Sequence, residues 1–229
     1  MKINGIEHVF FDLDHTLWDF DKNSALTFDY IFKDNNISLS LDEFLIHYEP
    51  INHAYWKLFR EDKIDKESLR YKRLYDSFKA ANYQVSTSMI YKLSEAYINE
   101  LSNYNHLFVN VFEVLDYLKP KYKLHIITNG FKDVQHSKLN KSNIDHYFET
   151  VTNSEMVGAK KPNPRIFNHA LQMARANPET SIMIGDNYEA DILGALNMGM
   201  RAICFNYHDT SLGNDIHQVK NLIDLKNYL

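Results

Sequence analysis

Four short polar clusters in this 229-residue chain carry residue types that could act together chemically: Asp12-Leu13-Asp14-His15-Thr16, Thr128-Asn129-Gly130, Lys160-Lys161-Pro162 and Gly185-Asp186-Asn187-Tyr188-Glu189-Ala190-Asp191. Taken singly, each has an ordinary explanation. Aspartates after a strand turn or cap the chain, Asn-Gly makes a turn, a lysine before proline is a solvated loop residue, and Gly-Asp before a helix is a cap. Together they gather several carboxylates, a lysine and a hydroxyl, which chance capping does not predict. Asp12, Asp14, Asp186 and Asp191, if brought together, repel one another. Two like charges about 4 Å apart cost roughly 4 kcal/mol at an effective dielectric near 20. A divalent cation relieves this, and an all-oxygen donor set with no cysteine and no evident histidine pair favours Mg²⁺ over Zn²⁺. Such an ion, with a lysine, a threonine hydroxyl and loop N–H groups, forms a phosphate-binding ensemble. A bare carboxylate beside it can attack phosphorus. The Asp-x-Asp spacing places Asp12 and Asp14 on the same side of an extended chain, near one reacting centre.

These clusters need elements to position them. Residues 6–13 form a short, nearly continuous apolar run (Ile6, Val9, Phe10, Phe11, Leu13), the pattern of a strand buried on both faces of a parallel sheet. Residues 21–104 contain no glycine and no convincing strand. Ser40 with Glu43 resembles a capping box, Pro50 is expected to kink or split the helix that follows, and residues 66–81 and 86–101 carry helical spacing. From about residue 110 the pattern alternates. Helices are expected at 111–118, 131–139, 164–176 and 190–198, with strands at 123–128, 148–152, 181–185 and 200–205, and a short terminal helix. This alternation predicts an α/β sheet of mainly parallel strands, interrupted by an all-α insert. The expected division is residues 1–17 and 107–229 for the sheet domain and 18–106 for the insert. The polar clusters all fall at strand ends or helix starts, where ligands of open α/β sheets gather.

Composition narrows the classes. Lys plus Arg number 25 against 30 Asp plus Glu, so the net charge of −5 does not advertise binding to nucleic acid or anionic membranes. The single cysteine, Cys204, excludes an intramolecular disulfide and a cysteine-rich zinc site, and its apolar strand marks it as an inert core residue. No apolar run approaches a bilayer-spanning length, and the Met1-Lys2-Ile3-Asn4-Gly5 start lacks a secretory leader pattern. A cytoplasmic protein acting on a small molecule, with neither a nucleic-acid polymer nor a membrane as partner, is the expectation.

The ordered set Asp12-x-Asp14-x-Thr16, Thr128, Lys161 and Gly185-Asp186-x-x-x-x-Asp191 resembles the four motifs of the haloacid dehalogenase superfamily, over essentially the whole chain. The resemblance implies a Rossmann-like core with an inserted helical cap, a Mg²⁺ cofactor and an aspartyl-phosphate intermediate. Carried over residue by residue, Asp12 is the nucleophile and a metal ligand. Asp14 is the general acid, then the base, and a metal ligand through its backbone carbonyl. Thr128 holds the phosphoryl group with the Asn129 amide. Lys161 neutralises phosphate and orients Asp12, Asp186 ligates the metal, and Asp191 supports it. The dehalogenase branch lacks the second aspartate of the first motif, so Asp14 favours phosphoric monoester hydrolysis. A phosphomutase, a sugar-phosphate phosphatase and a non-catalytic binding module are the alternatives. Finer similarity, in residues 11–21, 158–167 and 185–195, is to pyrimidine 5′-nucleotidases, which act on UMP, dUMP and dTMP. Candidates to stack on a base are Trp18 and Phe20, then Tyr48, Tyr55, Trp56 and Tyr71.

Overall fold

The apolar run at 6–13 is a strand over its fully buried centre, β1 (His8–Phe11). The computed structural model describes residues 2–213 and 216–229, so Met1 of the N-terminal stretch lies outside the described residues. After β1 come α1 (Phe20–Asp34), α2 (Leu41–Arg60), α3 (Lys66–Ala80) and α4 (Thr87–Glu100). Then follow α5 (Val111–Leu118), β2 (Lys123–Thr128), α6 (Lys132–Lys141), β3 (Thr150–Asn153), α7 (Ser154–Val157), α8 (Pro164–Ala174) and β4 (Ser181–Gly185). A π-helical turn (Tyr188–Leu193), α9 (Gly194–Leu196), β5 (Arg201–Phe205), β6 (His217–Val219) and a 3₁₀ segment (Leu222–Asn227) complete the chain. Two compact units result, Met1–Phe20 with Asn105–Leu229, and Asp21–Tyr104.

In the first unit the six strands lie in the order β3-β2-β1-β4-β5-β6, and every pairing is parallel. The chain builds outward from β1 to β2 and β3, then returns to β4 and builds the other way. The order therefore reverses between β1 and β4, the place where open α/β sheets bind ligands. Val9, Phe10 and Phe11 on β1, Ile126 and Ile127 on β2 and Ile182, Met183 and Ile184 on β4 are inaccessible to solvent. That is the two-sided burial their continuous hydrophobicity foretells.

The second unit is helical, as expected for an insert without glycine. Ser40, Asp65 and Ser86 cap α2, α3 and α4, each side chain accepting a backbone N–H three residues on. Phe28 is the hub of its core, with ring centroids of Phe44, Tyr48 and Tyr97 4.6–4.8 Å away. Arg73, 3% exposed, donates to the Asn52 side-chain oxygen at 2.9 Å, and its guanidinium stands 5.0 Å from the Tyr97 ring centroid.

Three elements differ from expectation. Pro50 does not split α2, one of the two outcomes expected of it; the helix runs on through twenty residues. Pro50 and Ile46, whose carbonyl loses its N–H partner, are both on the exposed face, where solvent can satisfy the freed group. The expected 190–198 helix is divided between the π-helical turn and the short α9. The terminal segment holds an added edge strand, β6, and a 3₁₀ turn instead of an α-helix.

At the amino ends of β1 and β2, His8 Nδ1 lies 3.0 Å from His125 Nε2, and His125 Nδ1 lies 2.9 Å from the Thr150 hydroxyl. Burial lowers both imidazoles, His125 to about 4, with Lys123 reinforcing the effect in both. A histidine lowered in the folded state contributes stability fully above its unfolded value near ~6.5 and loses it as pH falls toward about 4. Thermal unfolding across that window is expected to show a loss of up to about 1.4 kcal/mol per pH unit from His125. His125→Gln should flatten that slope; an unchanged slope would contradict the assignment.

Candidate active site

The polar clusters of the first unit converge where the sheet order reverses. Asp12 follows β1 directly, its N–H donating to the Ile184 carbonyl as if the strand continued. The chain then turns sharply. The Leu13 carbonyl accepts the N–H groups of Thr16, Leu17 and Trp18, and His15 adopts the left-handed conformation at φ 61°. Thr16 ties this turn to the β4 end, its hydroxyl donating to Asp186 Oδ1 at 3.3 Å and accepting the Asp186 N–H at 3.1 Å.

Lys161 is the electrostatic centre. Its side chain is 1% exposed, and its ammonium lies 2.8 Å from Asp12 Oδ1 and 2.7 Å from Asp191 Oδ1. It also donates to the Ile127 carbonyl at 2.6 Å. Burial opposes a charge on Lys161, but Asp12 and Asp191 outweigh it and hold the amine protonated above its ordinary range. Asn129 secures this lysine from β2. Its carboxamide accepts the Lys161 N–H at 2.7 Å and donates to the Lys161 carbonyl at 3.0 Å. The Asn129 side chain is thus committed to the lysine, while its carbonyl accepts the Ser154 hydroxyl at 3.0 Å.

Asp191 reaches the site because the π-helical turn is wide and because Gly185 has no side chain. A Cβ on Gly185 would stand 2.3 Å from Asp191 Oδ2. That oxygen accepts the Asn187 N–H at 3.0 Å, while the Asn187 side chain caps Ala190. A π turn at a functional position is a recurring device. One ligand oxygen each from Asp12, Asp186 and Asp191 can be chosen so that all lie within 4.8 Å of one another. Burial first, then Asp191 and Asp12, pushes the Asp186 carboxyl well above the usual range, and burial pushes Asp12 up to about 7 against the pull of Lys161. Cys204, behind Asp186, is buried and its thiol is raised to about 12, chiefly by burial, consistent with an inert residue.

This donor set fits a hard divalent cation. All donors are carboxylate oxygens, and each carboxyl is held at a cost that a cation would remove. When all four are ionised, the carboxylates of Asp12, Asp14, Asp186 and Asp191 outnumber the two buried ammonium groups of Lys161 and Lys138 by two, and a cation would favour that state.

Asp14 is placed differently. Its carboxylate stands outside that trio, so only its backbone carbonyl is in question as a ligand. Gln135 donates to its Oδ2 at 2.7 Å, and Lys138 reaches its Oδ1 at 2.5 Å. The same Gln135 amide donates to the Thr128 hydroxyl at 2.7 Å, which also accepts the Gly130 N–H at 3.1 Å. Neither α6 residue stands out in the sequence, where a buried polar position in a weakly patterned helix looks like a solvated one. Among the stacking candidates, Trp18 is wholly buried with the Lys138 ammonium 4.1 Å from its ring centroid, and Phe20 is 7% exposed at 5.4 Å from the same group. In the helical unit Tyr48 packs on Phe28 and Phe44, Tyr55 donates to Asp76, Trp56 meets Phe59 edge-on, and Tyr71 lies against Tyr75 and Tyr91.

Comparison with known proteins agrees with this geometry. The sequence profile described as haloacid dehalogenase-like hydrolase matches residues 9–205. The pyrimidine 5′-nucleotidase YjjG of Escherichia coli is 32% identical over 87% of this chain and 86% of its own. A glyceraldehyde 3-phosphate phosphatase of Methanothermobacter thermautotrophicus is 34% identical over 96% of this chain and 94% of its own. The structure of the HAD-hydrolase YfnB from Bacillus subtilis, bound to magnesium, superposes with a TM-score of 0.87 at 26% identity and covers 97% of both chains. No helix among the described residues is long and apolar enough to cross a membrane. The chain belongs to the haloacid dehalogenase-like hydrolase family and, within it, to the phosphatases that hydrolyse phosphoric monoesters.

Proposed function

We propose that the chain is a magnesium-dependent 5′-nucleotidase that hydrolyses pyrimidine nucleoside monophosphates through a phosphoryl group carried on Asp12. The observation that carries the chemistry is the buried Lys161 ammonium shared by Asp12 and Asp191. It favours the charged, nucleophilic form of Asp12 while leaving the rest of that carboxylate to face phosphorus. Asp12, Asp186 and Asp191, with the Asp14 carbonyl, would hold Mg²⁺, which when bound screens the charge between carboxylates and phosphoryl oxygens.

In the forward half-reaction an Asp12 oxygen attacks phosphorus in line with the ester oxygen. The new O–P bond forms as the ester O–P bond breaks, and the departing alkoxide takes a proton from Asp14. In the second half Asp14, now a carboxylate, takes a proton from the attacking water, and the Asp12–phosphorus bond breaks to release phosphate. Thr128, its hydroxyl set by Gln135 and Gly130, and the ammonium of Lys161 hold the phosphoryl oxygens throughout.

The choice of leaving group rests on the likeness to YjjG, extending over most of both chains. The comparable likeness to a glyceraldehyde 3-phosphate phosphatase supports a second reading, a phosphatase of small sugar phosphates. Phosphate release with and without Mg²⁺, from p-nitrophenyl phosphate, pyrimidine and purine nucleoside monophosphates, glyceraldehyde 3-phosphate and hexose phosphates, separates the two. The nucleotidase reading expects Mg²⁺-dependent release that is fastest from UMP, dUMP or dTMP. Fastest release from a sugar phosphate would replace it with the second.

Asp12→Asn is expected to lower phosphate release by more than about a thousandfold. Its thermal stability without Mg²⁺ should be equal or higher, because one of the mutually repelling carboxyls is gone; retained activity would remove the covalent mechanism. Asp14→Asn should lose more with alkyl than with aryl phosphates, since a nitrophenolate departs without a proton and an alkoxide does not. An equal loss on both would argue against the acid role.

A further inference from the structure

We infer that Gln135 and Lys138, one turn apart on α6, are positioning residues for Asp14, each fixing one carboxylate oxygen so that the acid–base group is held in register with the phosphoryl-anchoring Thr128. The inference rests on the proposed role of Asp14. Three observations carry it. First, α6 buries Gln135, Lys138 and Leu139, so two of its three buried side chains are long and polar, at 1% and 2% exposure for the polar pair. A buried ammonium is costly without a partner, and an apolar side chain of similar volume would fill the same space without that cost.

Second, both polar ends converge on one carboxylate and divide it between them, Gln135 on Oδ2 and Lys138 on Oδ1. Gln135 makes its second contact, to Thr128, with the same nitrogen. It crosses Gly130 so closely that a Cβ there would stand 1.8 Å from that nitrogen, so the glycine of Thr128-Asn129-Gly130 is the clearance through which the amide reaches both groups.

Third, the turn that carries Asp14 is gripped at two points. Lys138 pairs with Asp14 while its ammonium sits 4.1 Å from the ring centroid of Trp18, four residues on, and Asp14 and Trp18 are bridged to each other through the backbone. The rings of Trp18 and Phe20 give the cation a favourable seat and so fix the lysine that fixes the carboxylate. Positioning of this kind is worth much in rate, because a carboxyl displaced by about 1 Å from the departing oxygen can cost on the order of a hundredfold.

The test uses Lys138→Met, Lys138→Arg and Gln135→Met in the full chain, with saturating Mg²⁺ at one pH. It compares kcat/KM for p-nitrophenyl phosphate with that for the best alkyl ester of the panel. Lys138→Met is expected to lose about 10- to 100-fold on the alkyl ester and less than about 3-fold on the aryl ester; Gln135→Met, which also releases the Thr128 hydroxyl, should lose on both esters and about 10-fold more on the alkyl one. Lys138→Arg should recover most of the alkyl activity. Equal losses on the two esters, or no loss on either, would show a structural role and overturn the inference; an arginine variant as impaired as the methionine one would overturn it for Lys138. Asp14→Asn, run beside them, separates the two levels. If that variant shows no preference between esters, the acid–base reading itself fails. If it does and the α6 variants do not, only the positioning role fails.

Discussion

Lys161 stands between Asp12 and Asp191, 2.8 and 2.7 Å from their oxygens and almost wholly enclosed. An ammonium at that depth is tolerable only because two carboxylates face it, and those carboxylates are tolerable there only because of it. Removing the lysine would strand both carboxylates, a cost of about 3–5 kcal/mol, whereas removing one carboxylate leaves the ammonium its other partner. The cost is not fully recovered even so, since burial still lifts Asp12 toward neutrality and Asp186 further. That residual cost of ionising the carboxyls is what a hard cation held among them would remove.

The sheet exists to deliver these groups. Because the strand order reverses between β1 and β4, the ends of β1, β2 and β4 are neighbours while the connections leave in opposite directions. Asp12, Thr128 and Asp186 are the first residues each strand offers at that edge. Two glycines then clear the approach from the flanking helical segments. Gly185 admits Asp191 from the π-helical turn, and Gly130 admits Gln135 from α6. In both cases a missing Cβ lets a side chain cross a backbone, which no larger residue permits.

Much of this was legible before any coordinates. Continuous apolar runs locate buried parallel strands, and the polar residues that interrupt them at their carboxyl ends are visible as motifs. What the sequence hides is whatever depends on tertiary partners. Pro50 looks like a break because its missing N–H is local, whereas the exposed face that makes it harmless is not. The π-helical turn is invisible because Tyr188–Leu193 has the composition of an ordinary helix start, and the place of Asp191 over Gly185 is a contact that composition does not encode. β6 is three residues long and shows no period. Gln135 and Lys138 read as solvent-facing until their partners, more than 120 residues earlier in the chain, are known. Asn129 was legible as a site residue, but the engagement of its side chain with the Lys161 backbone was not.

The claim on which the account stands is that phosphate passes through Asp12. It is tested most directly by mixing the Asp14→Asn variant with p-nitrophenyl phosphate and Mg²⁺ and quenching in acid on the timescale of one turnover. On the proposed mechanism this variant keeps the nucleophile and lacks the group that activates water, so the account predicts a burst of nitrophenol equal to the enzyme and a phosphoryl group on the peptide containing Asp12. Turnover without a burst, and with no phosphoryl group on that peptide, would mean that water attacks the ester directly and would contradict the account.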